Sequence, residues 1–466
     1  MLFSSLTFLC LFLPIVMVAC VLLAPRYRNG WLLAASLFFY AWGEPHCVIL
    51  LLVSSLVNFL LGLSLNSLSD ELRRKLLLTA GIAFNVLILF FYKYFNFTLD
   101  IFTTPAWQEA NSIPQILLPI GISFFTFQGL SYLVDVYRRE CQVQRNIIDF
   151  GLYIAFFPQL IAGPIIKYHD IALQLSHRQM SVEKFAYGVR RFIYGLSKKI
   201  MIANTVALVA DQIFNAGKNI TTGEAWLGAI CYLFQIYYDF SGYSDMAIGL
   251  AAMFGFTFRE NFNYPFVARS IREFWRRWHI SLSTWFKEYV YIPLGGGKVS
   301  NWKVYRNLLI VFLLTGIWHG SNWTFVVWGL FHGFFIVFER MAIGHFLERH
   351  RVFSHIYTLL VVLIGFVFFR ADSLKDALRF LGTMFGMRGI VSPYANISSF
   401  LIVILVIALT LSGWVQSVCK LDFTALRLNE RKTVIISESL ILSCLLVGNL
   451  CLLAMSSYNP FIYFRF

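Results

Sequence analysis

Leu2–Leu23 reads LFSSLTFLCLFLPIVMVACVLL, a run without a single charged residue. Crossing a bilayer core takes about 20 apolar residues at about 1.5 Å of rise each, and this stretch reaches that length. It lacks the basic leader of a secretory signal, so it reads as the first membrane helix and not as a cleaved peptide. Similar apolar stretches follow at 31–43, 46–65, 76–95, 114–135, 147–166, 186–213, 224–240, 242–258, 304–319, 321–338, 355–370, 399–416 and 433–456. More than ten membrane-embedded segments are therefore expected, some too short to span alone. No polar stretch is long enough to separate two domains, so residues 1–466 are expected to form one integral membrane domain.

Composition agrees. Of 466 residues, 58% are hydrophobic and 13% charged, against about 45–50% and 25% in a soluble domain. This excludes a soluble enzyme, a disordered chain and a nucleic-acid binder. The net charge of +14 takes its meaning from topology, because Lys and Arg collect in short cytoplasmic loops. Arg26 and Arg28 follow the first segment, Arg73, Arg74 and Lys75 the third, and Arg138, Arg139 and Arg145 the fifth, while 96–115 holds Asp100 and Glu109 but no Lys or Arg. The N-terminus is thus expected outside. The sixth segment breaks the alternation, since Lys167, Arg178, Lys184, Arg190, Arg191, Lys198 and Lys199 follow it. Inside it lies Phe157-Pro158-Gln159-Leu160-Ile161-Ala162-Gly163-Pro164, which would break a helix. Broken backbone at membrane depth must be buried in protein or line a cavity, so a re-entrant or kinked segment is expected. Cys10, Cys20, Cys47, Cys141, Cys231, Cys419, Cys444 and Cys451 lie mostly in apolar runs with no Cys-x-x-Cys, as packing residues would, and no metal site is expected.

Polar groups at bilayer depth cost a few kcal/mol each and default to functional candidates. Three clusters stand out. Tyr237-Tyr238-Asp239-Phe240-Ser241-Gly242-Tyr243-Ser244-Asp245 is a polar knot between apolar runs, with Gly242 permitting a break. Asp239, Ser241, Tyr243 and Asp245 either cap two half-helices there or contact substrate and orient a base. Residues 270–289 read as one amphipathic helix with Phe274, Trp278, Leu282 and Trp285 on a stripe. It suits a membrane interface, while Arg272, Arg276 and Arg277 beside His279 equally suit an anionic donor such as a nucleotide-linked thioester, with Trp278 alongside. The third cluster is Trp318-His319-Gly320, followed by Trp323, Trp328 and His332. His319 ends a buried apolar run and suits general-base work, since histidine titrates near working pH.

Together the Glu273–Ser283 stretch (EFWRRWHISLS), Trp318-His319-Gly320 and Asp239–Asp245 (DFSGYSD) resemble the membrane-bound O-acyltransferase family, in particular the bacterial branch whose members O-acetylate alginate and peptidoglycan or D-alanylate teichoic acid. The resemblance extends over almost the whole chain, through 118–124 and 162–164 to Phe369-Arg370-Ala371. It implies an all-α polytopic fold: a ring of roughly 11 transmembrane helices with re-entrant or interfacial pieces around a central tunnel. It further implies that His319 is catalytic, that His279 is a second essential or supporting residue, and that Trp318 and His332 are supporting. The expected activity is acetyl transfer from a cytoplasmic donor, acetyl-CoA, with no bound cofactor, towards a cell-surface polysaccharide of the alginate type. Peptidoglycan is the alternative acceptor, and a conduit without covalent chemistry the alternative function. The expected partners are membrane lipid and an extracytoplasmic SGNH-like acetyltransferase, with polysaccharide met indirectly and no nucleic acid, and the expected place is the bacterial inner membrane. The chemistry of the residues agrees: no Gly-x-Ser-x-Gly elbow is present, so a serine triad is not expected.

Overall fold

The computed structural model describes residues 1–111, 113–217, 219–386, 398–413, 432–455 and 458–461, with the side chains of 432–435 excepted. Cys419 and most of 384–432 lie outside these residues. The other seven cysteines are free thiols. Every regular element among the described residues is helical. Among the described residues six helices are long and apolar enough to cross a membrane by themselves: Cys47–Ser67, Glu71–Phe102, Val182–Asn215, Trp323–Arg349, Arg351–Arg370 and Ile436–Met455. The opening run is shorter than its sequence suggests, since its apolar helix covers Phe8–Leu22, and Ser399–Leu411 is likewise short. The segment expected at 114–135 begins only at Ile122, after Pro114 and Pro119 and a left-handed Gly121 (φ 78°).

The chain divides into two compact units, Met1–Arg191 with Ala247–Arg259, and Phe192–Met246 with Glu260–Phe466. In the first, Cys47–Ser67 and Glu71–Leu89 are tied by Asn58 and Asn85. Each buried amide donates to the other's carbonyl, at 3.2 and 2.8 Å. Reciprocal amide bonds of this kind satisfy polar groups where lipid offers no partner. The Pro-rich segment is broken as its sequence requires: Ile147–Ala155 ends, Phe156 turns out of the helix, and Phe157–Leu160 forms a separate turn, all of it buried.

The second unit holds the polar clusters. Its tightest crossing joins Asn301–His319 to Trp323–Phe338 through glycines. A Cβ on Gly316 would lie 2.4 Å from the Phe325 carbonyl oxygen, and one on Gly329 would lie 2.3 Å from that of Phe312. Small residues let two backbones touch, the usual means of packing helices in lipid. A second glycine pair, Gly195 and Gly242, brings the Val182–Ser197 helix against Thr222–Met253, each hypothetical Cβ falling within 2.7 Å of the other's carbonyl oxygen. This corrects the expected break at Gly242: Thr222–Met253 is one continuous helix, and Gly242 serves close approach instead. The half-helix capping role for Asp239 and its neighbours falls with it.

Two outcomes follow. Gly316→Ala forces a methyl into a backbone carbonyl and is expected to cost about 1–3 kcal/mol. Thermal unfolding of the detergent-solubilised variant measures it, and an unchanged midpoint contradicts the crossing. In the first unit, His169 Nδ1 lies 2.9 Å from Asp135 Oδ2. That hydrogen bond, more than the nearby carboxylate charges, raises the His169 value and outweighs burial. Its folded value therefore exceeds the unfolded value of about 6.5. The stabilisation is complete below about pH 6.5 and is lost as pH rises through the folded value. Wild type should lose thermal stability across that window, and His169→Gln should lose this pH-dependent component; an identical profile in both contradicts it.

Candidate active site

The stretch expected to be one helix over 270–289 is three pieces: Ile271–Arg277, Ile280–Phe286 and a π-helical turn Lys287–Tyr291. The break falls at His279, held in the left-handed region at φ 44° and ψ 55°. Asn261 explains it. Its backbone carbonyl accepts from the Ile280 N–H at 2.9 Å and its Oδ1 from the Ser281 N–H at 3.2 Å, so the second helix starts on a partner outside its own run. The first piece starts on Glu339, a buried carboxylate in the π-helical turn Glu339–Ile343. Its oxygens accept from the Ile271 and Arg272 N–H groups at 2.6 and 3.2 Å. Negative charge at a helix N-terminus is favourable as well as hydrogen-bonding.

These anchors leave His279 fully buried, with its ring edge-on to Phe240 at 4.7 Å. The His319 ring lies 6.4 Å away between centroids, and that of Trp318 6.0 Å. The two imidazoles are thus close neighbours in the buried interior of the second unit. His319 is the last residue of Asn301–His319, 5% exposed, and packs edge-to-face on Trp328 at 5.0 Å and Phe369 at 5.1 Å. Gly320 is needed beside it because a Cβ there would enter the Phe325 ring. His332 is fully buried between Trp275 and Trp328, at 5.4 and 5.2 Å, and shares the Trp328 ring with His319.

The polar knot pairs with lysines one helix away. Lys199 Nζ is 2.9 Å from Asp239 Oδ1, with both side chains almost wholly buried, and Lys198 Nζ is 2.6 Å from Asp245 Oδ2. Both lysines sit in the π-helical turn Lys198–Ala203, just past the Gly195–Gly242 crossing. A buried carboxylate demands such a partner. Ser241 is buried, and Tyr243 stacks on Phe461 at 4.7 Å. Pro460 receives a hydrogen bond from Lys199 through its carbonyl, and Tyr458 donates to Asp211 at 2.7 Å. The Asn261 amide links the knot to the histidines, donating from Nδ2 to Ser244 Oγ at 3.0 Å.

The arginines fare differently. Arg277 is held by Glu273 at 2.9 and 3.0 Å and by the Asn263 carbonyl at 3.1 Å, whereas Arg272 and Arg276 are exposed. Trp278 is 3% exposed and stacks on Phe274 at 5.5 Å, a packing position. Sequence reasoning missed Asn261 and Glu339 and did not pair the lysines. Asn261 carries no local pattern, being one polar residue in a loop whose partners lie 17 to 20 positions away.

Known sequences resemble this one along its length. The model of the membrane-bound O-acyltransferase family, MBOAT, matches residues 37–374. The probable alginate O-acetylase of Pseudomonas putida is 41% identical over the whole of both chains. That of Pseudomonas aeruginosa is 45% identical over 83% of this chain and 75% of its own. The peptidoglycan O-acetyltransferase of Helicobacter pylori is 36% identical, over 84% of this chain and 81% of its own. A match of this extent, on a helical chain with six helices long enough to span, identifies a multi-pass membrane enzyme that transfers acyl groups to oxygen: the chain belongs to the membrane-bound O-acyltransferase family.

Proposed function

We propose that the chain moves acetyl groups from cytoplasmic acetyl-CoA to a hydroxyl acceptor on the way to O-acetylating a cell-surface polysaccharide of the alginate type. The observation that carries this is the buried pair His279 and His319, with ring centroids 6.4 Å apart. His319 takes the proton of the acceptor hydroxyl. The oxygen attacks the thioester carbonyl, a tetrahedral oxyanion forms, and the C–S bond breaks as the proton passes to the departing CoA thiolate. His279 orients the reacting groups or stabilises charge. The exposed Arg272 and Arg276 meet the phosphates of the donor, and Asp239, Ser241, Tyr243, Asp245, Trp318 and His332 support the site. Acetyl-CoA is here a substrate, and no resident cofactor is needed.

The 41% and 45% identity to the two alginate O-acetylase relatives favours alginate over peptidoglycan, whose relative is 36% identical. In this reading about eleven helices ring a tunnel in the bacterial inner membrane, with the N-terminus outside. In the same reading an extracytoplasmic SGNH-like acetyltransferase completes delivery to the polymer.

His319→Ala is expected to lower acetyl transfer about 10²–10⁴-fold while the protein remains in the membrane at wild-type abundance. The rate of CoA release from labelled acetyl-CoA in proteoliposomes, with polymer acetate content alongside, measures it. Wild-type turnover in the variant sinks the reading, and transport of label without thioester cleavage would replace it with a conduit.

A further inference from the structure

The geometry points to Asn261 as a positioning residue that fixes the tautomer of His279, so that this histidine presents a lone pair, not an N–H, to the substrate. The inference rests on the acyl-transfer reading above and assigns His279 one of the two roles left open there.

The argument begins with a group whose chemistry is beyond choice. A backbone N–H only donates, and that of Ser281 lies 3.2 Å from one terminal atom of the Asn261 side chain. That atom is therefore the carbonyl oxygen, which places the amide nitrogen 3.0 Å from Ser244 Oγ. A carbonyl oxygen only accepts. It lies 3.2 Å from His279 Nδ1, so Nδ1 carries the proton. Ser281 Oγ, 3.5 Å from Nδ1, already gives its one proton to Asn261 Oδ1 at 2.9 Å and faces Nδ1 with lone pairs. A neutral imidazole has one N–H. With it on Nδ1, Nε2 is left as an acceptor, and Nε2 has no hydrogen-bond partner among the described residues although His279 is fully buried.

An acceptor nitrogen cannot stabilise an oxyanion, because that takes a donor. Nε2 instead receives a hydrogen bond. The reacting hydroxyl has one proton, which His319 removes, so Nε2 takes its hydrogen bond from a second O–H or N–H donor on a bound substrate. A neighbouring sugar hydroxyl and an amide N–H of the thioester's arm share that chemistry. His279 thereby orients, and His319 does the proton transfer. Asn261, buried in the loop and hydrogen-bonded also to Ser244 of the polar knot, holds the ring in that state.

Protein labelled with 15N- and 13C-histidine and reconstituted in lipid tests the tautomer without depending on turnover. The signal lost in His279→Gln, or shifted in Asn261→Leu, belongs to His279, so either variant assigns it. A neutral ring protonated at Nδ1 is the expected state. An Nε2-protonated ring or an imidazolium overturns the inference. In turnover, Asn261→Leu is expected to lower kcat at least about 10-fold, as loss of a tautomer-fixing partner does. In a His279→Gln background the same substitution should add little. A full additional loss there shows a merely structural role and overturns the assignment. The two donor sources separate in His279→Gln: a raised KM for acetyl-CoA marks the thioester arm, a raised KM for acceptor the sugar. If wild-type protein cleaves no acetyl-CoA, the acyl-transfer reading falls, while the spectrum still decides the tautomer.

Discussion

A helix that carries two carboxylates into an apolar interior must find them cations. Thr222–Met253 does so with Asp239 and Asp245, and Lys199 and Lys198 answer from the facing helix. Taking an ion out of water costs several kcal/mol, and only close pairing with further hydrogen bonds offsets it. That demand sets the helix crossing. Gly195 and Gly242 let the backbones approach closely, and both lysines lie in the π-helical turn Lys198–Ala203 just beyond that contact. With this helix fixed, Ser244 is placed for Asn261, and Asn261 in turn for His279.

The same logic runs along the other approach to the site. Glu339 is buried, which is costly for a carboxylate, yet two backbone N–H groups at the start of Ile271–Arg277 satisfy it. The short helix before His279 is thus hung from a neighbouring long helix and does not depend on its own slight propensity, which in so short a piece would be marginal. His319 is positioned from the opposite side by the glycine crossing of its helix with Trp323–Phe338. His279 is thus placed by contacts made far from it in sequence, whereas His319 is placed by the turn and helix that follow it directly.

That explains which parts of the molecule were legible beforehand. The membrane class, the helical make-up of the described residues and the break at Pro158 to Pro164 follow from local signals, apolar length and helix breakers, and His279 and His319 stand out as candidates because polar residues are expensive at that depth. The break at Gly242 was misread because glycine allows either a bend or a close approach, and only the partner helix decides between them. The helix over 270–289 was misread because its apolar stripe is real, with Phe274, Trp278, Leu282 and Trp285 all buried, while the interruption comes from Asn261. The start at Ser270 is locally signed, since Ser270 Oγ accepts from the Glu273 N–H as an N-cap, but nothing local marks the break at His279. Arg277 is paired with Glu273 and Trp278 is packed on Phe274, partners that the sequence reading of charge and aromatic rings beside a histidine did not bring together.

The left-handed backbone at His279 bears on the range of side chains that position accepts. Asn, Asp and His tolerate that region best among residues with a Cβ, whereas β-branched side chains are strained there. The position thus admits a small set of polar residues on backbone grounds before any chemistry is considered. A relative with asparagine here would keep the turn between the two short helices and still offer a hydrogen-bonding side chain, while losing the two ring nitrogens of imidazole. The backbone at this position and the hydrogen-bonding work of its side chain therefore select from the same short list.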